Sequence, residues 1–332
     1  MSPDDRSNRL ELVELYAPIV GGLARVEAEF RSLTENKKAG FPALYQMLCH
    51  VLVGGKVLRP VLTLLSAGCF NGETDRIVPL ATASELLHIA TLVHDDAIDK
   101  ADTRRGKPTV SKLWGLEKAI LLGDFLFARA GEFAAATGNL HVVRLFARTL
   151  QIISSGELRQ SFAAFSPEQS YEHYLERIAG KTAALFVLAT EGGAVLAGAT
   201  DDGVKALHDY GYNLGLAFQI VDDILDFTGD EKEMGKPVGS DLRQGTITLP
   251  ALLLMQRSPG DNPVDRLIRG EDREANIART VSLVRGGDII EQCYAVARGY
   301  RDRACGVLDS LPDSPARRSL MELADYVIRR DR

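Results

Sequence analysis

The chain has 332 residues, of which 45% are hydrophobic and 25% are charged, an ordinary globular composition with apolar material for one large core or two modest ones. Its 39 lysine and arginine residues against 45 aspartate and glutamate residues give a formal net charge of −6, and no long basic run interrupts this acidic excess. A nucleic-acid-binding surface is therefore not expected.

Other features of the composition indicate a soluble cytoplasmic protein. Residues 1–10 are polar and acidic, unlike a signal or transit peptide, and we expect them to form a flexible N-terminus. The apolar stretch 182–199 contains Glu191 and paired glycines, which favours a buried helix over stable membrane insertion. The cysteines show no Cys-x-x-Cys spacing, which predicts reduced structural thiols. They are Cys49, Cys69, Cys293 and Cys305.

Helical periodicity dominates along the chain, and alternating strand patterns are nearly absent. Segments 115–136 and 211–227 are apolar on several sides, which predicts central helices whose glycines and alanines let neighbouring helices approach closely. Between them, the Ser-x-x-Gln sequence at 166–169 predicts a capping box that starts a long helix over 171–196. The pair Ser314-Pro315 predicts the cap and first turn of the last helix.

Short polar or Gly/Pro-rich loops separate the helices, and none has the composition of an interdomain linker. The predicted loops are 37–42, 71–75, 101–108, 199–203, 228–245 and 258–263. The economical interpretation is one all-α domain over residues 1–332, with roughly ten or more helices.

One short acidic motif occurs twice, each time after an apolar helical run. The first aspartate cluster is 95-DDAID-99, and the second aspartate cluster is 222-DDILD-226. Because positions i and i+4 are neighbours on a helix, each cluster places two carboxylates on one face, where like charges repel. Solvated acidic helix ends are the simpler interpretation, but the repetition at two apolar helix ends favours a bound cation.

The chemistry of the two clusters indicates which cation this is. Carboxylate oxygens without histidine or cysteine partners favour Mg²⁺ over zinc or copper. Mg²⁺ typically takes one or two carboxylates and completes its octahedron with water and phosphate oxygens. Two clusters on facing helices therefore predict several Mg²⁺ ions with a diphosphate between them.

Positively charged residues that suit direct phosphate contacts accompany both clusters. Each alone would ordinarily be a surface cation, but together, beside two acidic clusters, they predict a phosphate-binding site. They are Lys56, Arg59, Arg104, Arg105, Lys181 and Lys236. The glycine pair 54–55 before the first of them would let the backbone approach a ligand closely.

Two uncharged or titratable side chains lie on the same helix faces as the clusters. His88 precedes Asp95 by two helical turns, and Gln219 lies three residues before Asp222. A lone polar residue in an apolar helix is usually a satisfied core residue, but beside the clusters we expect each of these to contact substrate.

These motifs together resemble the trans-isoprenyl diphosphate synthases, also called the polyprenyl synthetase family, over nearly the whole chain. The resemblance is closest to the members that make long-chain polyprenyl diphosphates. It rests on 54-GGKVLRP-60, the first aspartate cluster with its trailing RRGKPT, 122-LGDFLFARA-130, 156-GELRQ-160, 180-GKTAALF-186, the second aspartate cluster, 239-GSDLRQGTITLP-250 and 326-YVIRR-330.

The resemblance implies a helical bundle around a deep central cavity, usually in a homodimer, and a Mg²⁺-dependent condensation of isopentenyl diphosphate with an allylic diphosphate. Isopentenyl diphosphate would be bound by Lys56, Arg59, His88 and Arg105. The allylic diphosphate would be bound with help from Arg104, Lys181, Thr182, Gln219 and Lys236. Mg²⁺ would be held by Asp95, Asp99, Asp222, Asp223 and Asp226. The catalytic set would be the six aspartates, including Asp96, with Arg104 and Lys181.

One departure and two alternatives qualify this assignment. Many members have a lysine where this chain has Thr246, which puts a secondary phosphate contact in doubt. A class I terpene cyclase also uses an aspartate-rich motif, but its second metal motif is typically a mixed Asn/Ser/Glu sequence. An accessory subunit of a heteromeric synthase usually lacks aspartates from one cluster, whereas all six are present here.

The length of the product depends on the depth of the cavity below the first cluster. Ala90 and Thr91 lie one turn before Asp95, and both are small, whereas short-chain members have a bulky aromatic residue there. The first cluster also lacks the two-residue insertion of several farnesyl- and geranylgeranyl-forming members. Each added isoprene unit buries about five carbons at about 0.8 kcal/mol per CH₂-sized group, so an open tunnel favours continued growth. We therefore expect a product longer than geranylgeranyl, with Phe127, Phe133 and Phe146 as candidate floor residues.

Overall fold

The computed structural model describes residues 15–35, 41–52, 57–72, 74–104, 106–166, 170–229 and 237–329. Helices make up nearly all of its regular structure, which confirms the predicted all-α fold class. The predicted N-terminal tail, residues 1–10, lies outside the described residues.

The described part of the N-terminal half consists of helices, a 3-10 turn and a short hairpin. In chain order the elements are the 3-10 turn Ala17–Ile19, α1 (Val20–Glu35), α2 (Pro42–Leu52), α3 (Leu58–Gly68), α4 (Thr74–Ile98), β1 (Thr103–Arg104), β2 (Lys107–Pro108), α5 (Val110–Trp114), α6 (Leu116–Ala136) and α7 (Leu140–Ala163). Strands β1 and β2 pair antiparallel within the loop predicted at 101–108.

The C-terminal half continues with helices, one of which begins as a π-helical segment. In chain order the elements are α8 (Tyr171–Ile178), the π segment Ala179–Ala183, α9 (Ala184–Leu196), α10 (Asp201–Thr228), α11 (Ser240–Arg243), α12 (Leu249–Arg257), α13 (Pro263–Ile268), α14 (Arg273–Arg285), α15 (Ile289–Leu308) and α16 (Pro315–Arg329).

The chain divides into two compact units. Unit 1 comprises Met1–Arg148, Leu185–Gly211 and Val307–Leu323, and unit 2 comprises Thr149–Ala184, Tyr212–Gly306 and Ala324–Arg332. Helices α7, α9, α10, α15 and α16 each supply residues to both units, so each boundary between the units falls inside a helix. A single domain over residues 1–332 stays a prediction.

Helix α4 is the centre of unit 1. It packs most extensively against α6 and also against α3 and α1. Leu86 and Leu87 of α4 and Leu126 of α6 are fully buried. The close approach of α4 and α6 requires Gly123, because a methyl group added there would overlap the imidazole of His94. The residue directly before the first aspartate cluster is thereby packed against α6.

One face of α6 differs from the prediction of a helix enclosed on several sides. Leu116, Ile120 and Leu121 are exposed in this chain, and Leu121 is 60% exposed. Apolar composition predicts that a face avoids water, but it does not distinguish burial inside one chain from contact with a second molecule.

The core of unit 2 forms around the C-terminal half of α10. Ile220, Ile224 and Phe227 are fully buried there, in one core cluster with residues of α12, α14 and α15. Gly215 of α10 allows close contact with the π segment, since a methyl group added at Gly215 would lie 2.5 Å from the Ala183 Cα. The prediction that glycines let these helices approach closely is confirmed here and at α6.

Two helix starts differ in detail from the predictions: the helix predicted over 171–196 begins at Tyr171 as expected but has another cap, and the helix after 199–203 begins earlier. The helix at Tyr171 is capped by Ser170, whose hydroxyl accepts a hydrogen bond from the His173 N–H at 3.1 Å. Residues 167–169 of the predicted capping box lie outside the described residues. The loop predicted at 199–203 is shorter, because Thr200 Oγ1 accepts from the Gly203 N–H at 3.3 Å and the acidic first turn of α10 suits a helix N-terminus.

The prediction for the last helix is confirmed. The Ser314 hydroxyl accepts a hydrogen bond from the Arg317 N–H at 3.1 Å, and Pro315 is the first residue of α16. One face of α16 is buried through residues at helical spacing, which include Leu320, Leu323 and Val327. The capping serine, the proline and the spacing of the apolar residues all indicate the same helix, so it could be predicted from local sequence alone.

Two apolar helical stretches match the expected core role, whereas the cysteines differ in burial. Asp75–Ile98 and Tyr171–Leu196 are long and apolar enough to span a membrane, but 67% of the most apolar window of each is buried within the protein, as in core helices. The four cysteines are free thiols. Burial raises the pKa of Cys69 to about 11 and that of Cys293 to about 12, which makes both unreactive at neutral pH.

Candidate active site

The first aspartate cluster lies at the C-terminal end of α4, in unit 1. Asp95 is half-buried, Asp96 is buried, and Asp99, just beyond the helix, is exposed. The Asp99 N–H donates to the Asp95 carbonyl at 2.8 Å, so a helical turn continues through the cluster. This places Asp95 and Asp99 on the same face, as the spacing predicts.

Asp96 is bound by Arg104 in a two-pronged ion pair. Arg104 Nε lies 2.8 Å from both carboxylate oxygens of Asp96, and Nη2 lies 2.8 Å from Oδ1. Arg104 is on β1, and Gly106, with a φ of +72°, lets the chain reverse into β2. His50 Nε2 lies 2.8 Å from the carbonyl of Pro108 and ties β2 to α2. A cation predicted to bind diphosphate is thus held against the first cluster.

A cavity of about 520 Å³ lies beside this ion pair, within unit 1. Asp96 and Arg104 line it together with His88, so the structure brings three predicted site residues to one cavity. Its other charged and titratable lining residues are Glu27, Arg31, His50, Glu85 and Lys107. Its apolar lining includes Phe30, Leu52, Ile89, Leu92, Val93 and Val110. A lining that combines charged and apolar side chains suits a small molecule that has an anionic head and a short hydrocarbon body.

Four of the remaining predicted cations divide into two groups. Arg59 is buried in the first turn of α3, where its guanidinium carbon lies 5.3 Å from the centre of the Phe186 ring, and it does not line the cavity. Lys56, Arg105 and Lys236 lie outside the described residues.

The second aspartate cluster lies on the last turns of α10, in unit 2. Asp222 is half-buried, whereas Asp223 and Asp226 are buried. Asp226 fixes the returning chain, because its carbonyl accepts from the Gly239 N–H at 2.9 Å and its Oδ2 accepts from the Asp241 N–H at 3.2 Å. Since the two clusters belong to different units, their predicted sharing of one diphosphate stays a prediction.

Thr246 follows the chain segment that Asp226 fixes. This residue, at the position where many family members have lysine, is half-buried, and its N–H donates to the Asp241 carbonyl at 2.9 Å. Its backbone therefore belongs to the same turn that Asp226 fixes.

A chain of hydrogen bonds converges on Asp223. The Tyr174 hydroxyl donates to its Oδ2 at 2.8 Å, and Gln219 Nε2 donates to its Oδ1 at 2.8 Å. The Thr182 hydroxyl donates in turn to Gln219 Oε1 at 2.6 Å. Three predicted site residues, Thr182, Gln219 and Asp223, are thus brought together, and Tyr174 joins them.

Burial dominates the electrostatics of this network. It raises the pKa of Asp223 to about 6, against the opposing effect of the hydrogen bonds from Gln219 and Tyr174 and the charge of Arg177. Burial and the neighbouring Asp223 carboxylate also raise the pKa of Tyr174 well above its ordinary value. The tyrosine therefore remains a hydroxyl that donates to the carboxylate.

Lys181 lies in the π segment and directly precedes Thr182. Its Nζ lies 2.6 Å from Glu157 Oε1 on α7, in the same unit. The wider turns of a π segment are frequent at functional sites, where they change the direction of side chains on an otherwise regular helix.

Sequence reasoning missed two residues of this site, Tyr174 and Glu157. Glu157 had a signal, because it belongs to the quoted motif 156-GELRQ-160 and is a carboxylate on a helix. Tyr174 had none, since a tyrosine on the apolar face of a helix is ordinarily a core residue and its partner lies 49 positions away.

The carboxylates fit Mg²⁺ in their chemistry. Asp95, Asp99 and Asp222 are the less buried aspartates of the two clusters and offer hard oxygen donors. Within the part of the chain that the structure describes, no three His, Cys, Asp or Glu side chains converge to hold a metal ion. Mg²⁺ typically takes one or two carboxylates and depends on phosphate and water for the rest.

The predicted chain-length residues have unequal surroundings. Ala90 is fully buried, and the half-buried Thr91 donates its hydroxyl to the His88 carbonyl at 2.7 Å. Of the candidate floor residues, Phe127 lies edge-on to His94 at 5.1 Å, Phe133 lies beneath the Arg129 guanidinium, and Phe146 is buried. Their role in setting product length stays a prediction.

Known proteins resemble this chain over nearly its full length. Heptaprenyl diphosphate synthase component 2 of Geobacillus stearothermophilus is 39% identical over 326 residues, which cover 97% of this chain and 100% of that protein. The solved structure of a decaprenyl diphosphate synthase from Rhodobacter capsulatus matches with a TM-score of 0.86 at 37% identity, over 95% of this chain and 97% of that one. A polyprenyl synthase from Caulobacter crescentus CB15, solved with calcium and isoprenyl diphosphate, matches with a TM-score of 0.88 at 37% identity, over 96% and 97%.

The family assignment combines these matches with the motifs. The family model described as polyprenyl synthetase matches residues 41–284, a range that contains both aspartate clusters. The resemblance recognised from the sequence is therefore confirmed, and the chain belongs to the polyprenyl synthetase family.

Proposed function

We propose that this protein is a Mg²⁺-dependent prenyltransferase that condenses isopentenyl diphosphate with an allylic diphosphate to form an all-trans polyprenyl diphosphate longer than geranylgeranyl. The observation that carries the proposal is the pair of intact aspartate clusters at the ends of α4 and α10 in a chain of the polyprenyl synthetase family. The cavity beside the first cluster and the network beside the second support it.

The cavity of unit 1 supports binding of isopentenyl diphosphate. His88, Arg104 and Lys107 offer donors to the diphosphate, and the apolar lining residues suit a five-carbon body. Lys56 and Arg105 are proposed to complete the diphosphate contacts, as the family resemblance implies. Arg59, buried over Phe186, is proposed to join them only after its side chain moves toward the cavity.

The network of unit 2 supports binding of the allylic diphosphate. Lys181 is held in place by Glu157 and retains an exposed side-chain fraction of 36%, so its charge is accessible to a ligand. Asp222, the least buried aspartate of the second cluster, is the proposed carboxylate contact to metal. Lys236 is proposed to add a further phosphate contact.

The chemistry follows from charge neutralisation. The allylic carbon–oxygen bond breaks with its electrons leaving on the diphosphate, and Arg104 and Lys181 stabilise the charge that develops there. The isopentenyl double bond then attacks the allylic carbocation, and loss of a proton leaves a longer allylic diphosphate. The released diphosphate is a sufficient base for this proton. Apolar cavity walls exclude the water that would otherwise trap the cation.

The carboxylates would hold Mg²⁺, which when bound supplies positive charge for the diphosphate. Asp95, Asp99 and Asp222 are the proposed ligands, with Asp226 as a buried neighbour. The relative from Caulobacter crescentus was solved with calcium and isoprenyl diphosphate, and Ca²⁺ and Mg²⁺ both prefer carboxylate oxygens.

A long product is supported by the names of two relatives and by the residues before the first cluster. The relatives are a heptaprenyl synthase component and a decaprenyl synthase. In this chain Ala90 and Thr91 are small, so neither would block a growing chain one turn below Asp95.

A second candidate is that this chain is one subunit of a heteromeric synthase. The specific observation behind it is that the relative from Geobacillus stearothermophilus is called component 2. The complete aspartate clusters favour a chain that is active without a different subunit. We propose that it acts as a homodimer in the cytoplasm. The exposed apolar side chains Leu113, Leu116, Ile120 and Leu121 of α5 and α6 support a contact with a second copy.

The proposed activity is tested with the purified chain, Mg²⁺, radiolabelled isopentenyl diphosphate and, separately, geranyl, farnesyl or geranylgeranyl diphosphate. We expect dephosphorylated products longer than geranylgeraniol on chromatography. Products that end at farnesol or geranylgeraniol would retain the condensation and refute the proposed length. No incorporation with any starter would contradict a self-sufficient enzyme and favour the heteromeric alternative.

A further inference from the structure

We propose that Tyr174 and Asp223 form a positioning pair that orients the second aspartate cluster, and that Asp223 is not a metal ligand. This inference rests on the proposed function, because it concerns how the Mg²⁺-binding face of α10 is held. It also revises the role expected for Asp223 from the sequence, where its place in the motif suggested a metal ligand.

Both oxygens of Asp223 already accept hydrogen bonds from protein donors. The Tyr174 hydroxyl donates to Oδ2 and the Gln219 amide donates to Oδ1, each at 2.8 Å. The residue is only 3% exposed, and Tyr174 is only 2% exposed. Each oxygen keeps a second lone pair, but a Mg²⁺ ion surrounded by water and phosphate oxygens would have to enter the protein interior to reach it, because Asp223 is almost fully buried.

The pair is well placed to set the rotation of α10 about its axis. Consecutive residues of an α-helix point about 100° apart, so a carboxylate fixed inward at Asp223 fixes the outward direction of Asp222. Tyr174 is on α8, so its hydrogen bond to Asp223 connects α10 to a second helix. Carboxylates and hydroxyls that orient metal ligands in this way strongly affect metal binding.

The same hydrogen-bond chain ends at Thr182, the residue next to the proposed phosphate-binding lysine. Thr182 donates to Gln219 and directly follows Lys181 in the π segment. Removing the Tyr174 hydroxyl would therefore loosen two groups that face one substrate, the metal-binding carboxylate Asp222 and the cation Lys181. A purely structural tyrosine would contribute packing through its ring, over which the Arg177 guanidinium lies at 5.5 Å, and not through its hydroxyl.

The test removes only the hydroxyl. For Tyr174→Phe we expect the Mg²⁺ concentration for half-maximal activity to rise about 10- to 100-fold, with the KM for isopentenyl diphosphate unchanged. Mn²⁺ binding in the presence of inorganic diphosphate, followed by electron paramagnetic resonance, should weaken by a similar factor. Tyr171→Phe is the matched control, since it removes a hydroxyl from the same helix that interacts with Tyr300 and not with Asp223.

Asp223→Asn separates positioning from ligation. An asparagine can accept from the Tyr174 hydroxyl and donate to a flipped Gln219 amide, which then donates to the Thr182 hydroxyl, so every polar group keeps a partner. We therefore expect Asp223→Asn to bind Mn²⁺ within about threefold of the unmodified protein and Asp223→Ala to resemble Tyr174→Phe.

Two results would overturn the inference. One is a loss of Mn²⁺ binding in Asp223→Asn that exceeds the loss in Tyr174→Phe, which would make Asp223 a ligand. The other is a Tyr174→Phe protein whose Mn²⁺ binding and Mg²⁺ response equal those of Tyr171→Phe. Failure of the proposed function itself would be seen separately, as absence of prenyl transfer by the unmodified chain, while the Mn²⁺ measurement would still decide the role of Asp223.

Discussion

At the scale of single residues, the ion pair between Asp96 and Arg104 makes a stability prediction. Arg104→Gln removes the charge and leaves the buried Asp96 carboxylate without its principal donors. We expect the free energy of unfolding to fall by about 1–3 kcal/mol, the usual cost of an unsatisfied buried acceptor. Urea denaturation followed by circular dichroism measures this change.

Arg104→Lys serves as the matched variant. Lysine retains the charge but cannot offer the two parallel N–H groups of a guanidinium, so we expect a smaller loss of stability than in Arg104→Gln. If Arg104→Gln unfolds at the same urea concentration as the unmodified protein, the ion pair does not contribute to stability.

A second residue-scale prediction concerns Glu191, which two histidines contact in unit 1. His208 Nδ1 lies 2.8 Å from one oxygen of Glu191, and His141 Nε2 lies 3.1 Å from the other. The hydrogen bond to Glu191 raises the pKa of His208, although burial opposes it. Burial also opposes the charged form of Glu191, but the hydrogen bonds from His208 and His141 outweigh burial and lower its pKa.

These shifts predict a pH window for the contribution of Glu191 to stability. The raised pKa of His208 stabilises the fold fully below the ordinary value of 6.5, and this stabilisation is lost as pH rises through the folded-state pKa. The lowered pKa of Glu191 stabilises the fold above its ordinary value of 4.5, and this stabilisation is lost as pH falls through the folded-state pKa. Glu191→Gln should therefore destabilise the protein more at about pH 5.5 than at about pH 8.

Urea denaturation of both proteins at the two pH values checks this window. The difference in unfolding free energy between the unmodified protein and Glu191→Gln is the quantity to compare. An equal difference at both pH values would show that the histidine contacts do not change with protonation.

Individual site residues could be predicted where the signal is local. The aspartate clusters and His88 follow from helical spacing, and the structure places His88 in a cavity with Asp96 and Arg104. Tyr174 could not be predicted, because its contact with Asp223 arises only when α8 packs against α10. The contact between Asp96 and Arg104 was missed for the same reason, although Arg104 itself was predicted, since spacing gives the face of a helix and not what covers it.

At the scale of elements, the contact between α4 and α6 makes the next prediction. Gly123→Ala would place a methyl group against the imidazole of His94, the residue directly before Asp95. The imidazole would then have to move. We expect the unfolding free energy to fall by about 1–3 kcal/mol, as in other overpacked cores, and prenyl transfer to fall with it. Thermal denaturation and the chromatographic assay measure the two effects.

Gly131→Ala on the same helix is the control. The nearest atom to its added methyl group would be a Phe146 ring carbon at 3.9 Å, an ordinary contact. The alanine should leave stability unchanged or raise it by up to about 1 kcal/mol, because glycine is a poor helix former. Equal behaviour of the two alanine variants would mean that the α4–α6 contact tolerates a methyl group.

The elements themselves could be predicted wherever caps and period agree. Helix α16 has both, and its start at Pro315 follows from the sequence. The π segment at Ala179–Ala183 could not be predicted, since the apolar period of 171–196 continues through it. It lies where Ala183 packs against the glycine at position 215, a tertiary contact that no local pattern contains.

At the scale of the whole molecule, product length is predicted to depend on the residue one turn before the first cluster. Thr91→Phe should shorten the products seen by chromatography, because an aromatic ring there would block the growing chain. Thr91→Ser keeps the hydroxyl bonded to the His88 carbonyl without added bulk, and we expect its products to be unchanged. Ala90→Phe is a weaker test, since Ala90 is fully buried and a larger side chain would also destabilise the core.

Products of unchanged length in Thr91→Phe would place the limit elsewhere along the chain. The floor candidates Phe127, Phe133 and Phe146 would then be replaced by alanine in turn. Lengthened products in one of them would identify the residue that ends elongation.

The exposed apolar face of α6 leads to a prediction about the proposed homodimer. Ile120 and Leu121 are both exposed, and we expect Leu121→Glu to convert a homodimer into monomers in sedimentation velocity experiments. Leu283→Glu is the control, because Leu283 is an exposed apolar residue of α14 in unit 2. A monomeric unmodified protein, or a dimer that survives Leu121→Glu, would contradict a homodimer formed through α6.

The contact between Gly123 and His94 also restricts how the sequence can change over evolutionary time. Position 123 is not free to change alone, because any side chain there needs the space that the imidazole at 94 occupies. Aligned relatives should therefore show these positions changing together, with a larger residue at 123 found only beside a smaller one at 94. In a lineage that changed both residues, the substitution at 94 would have come first.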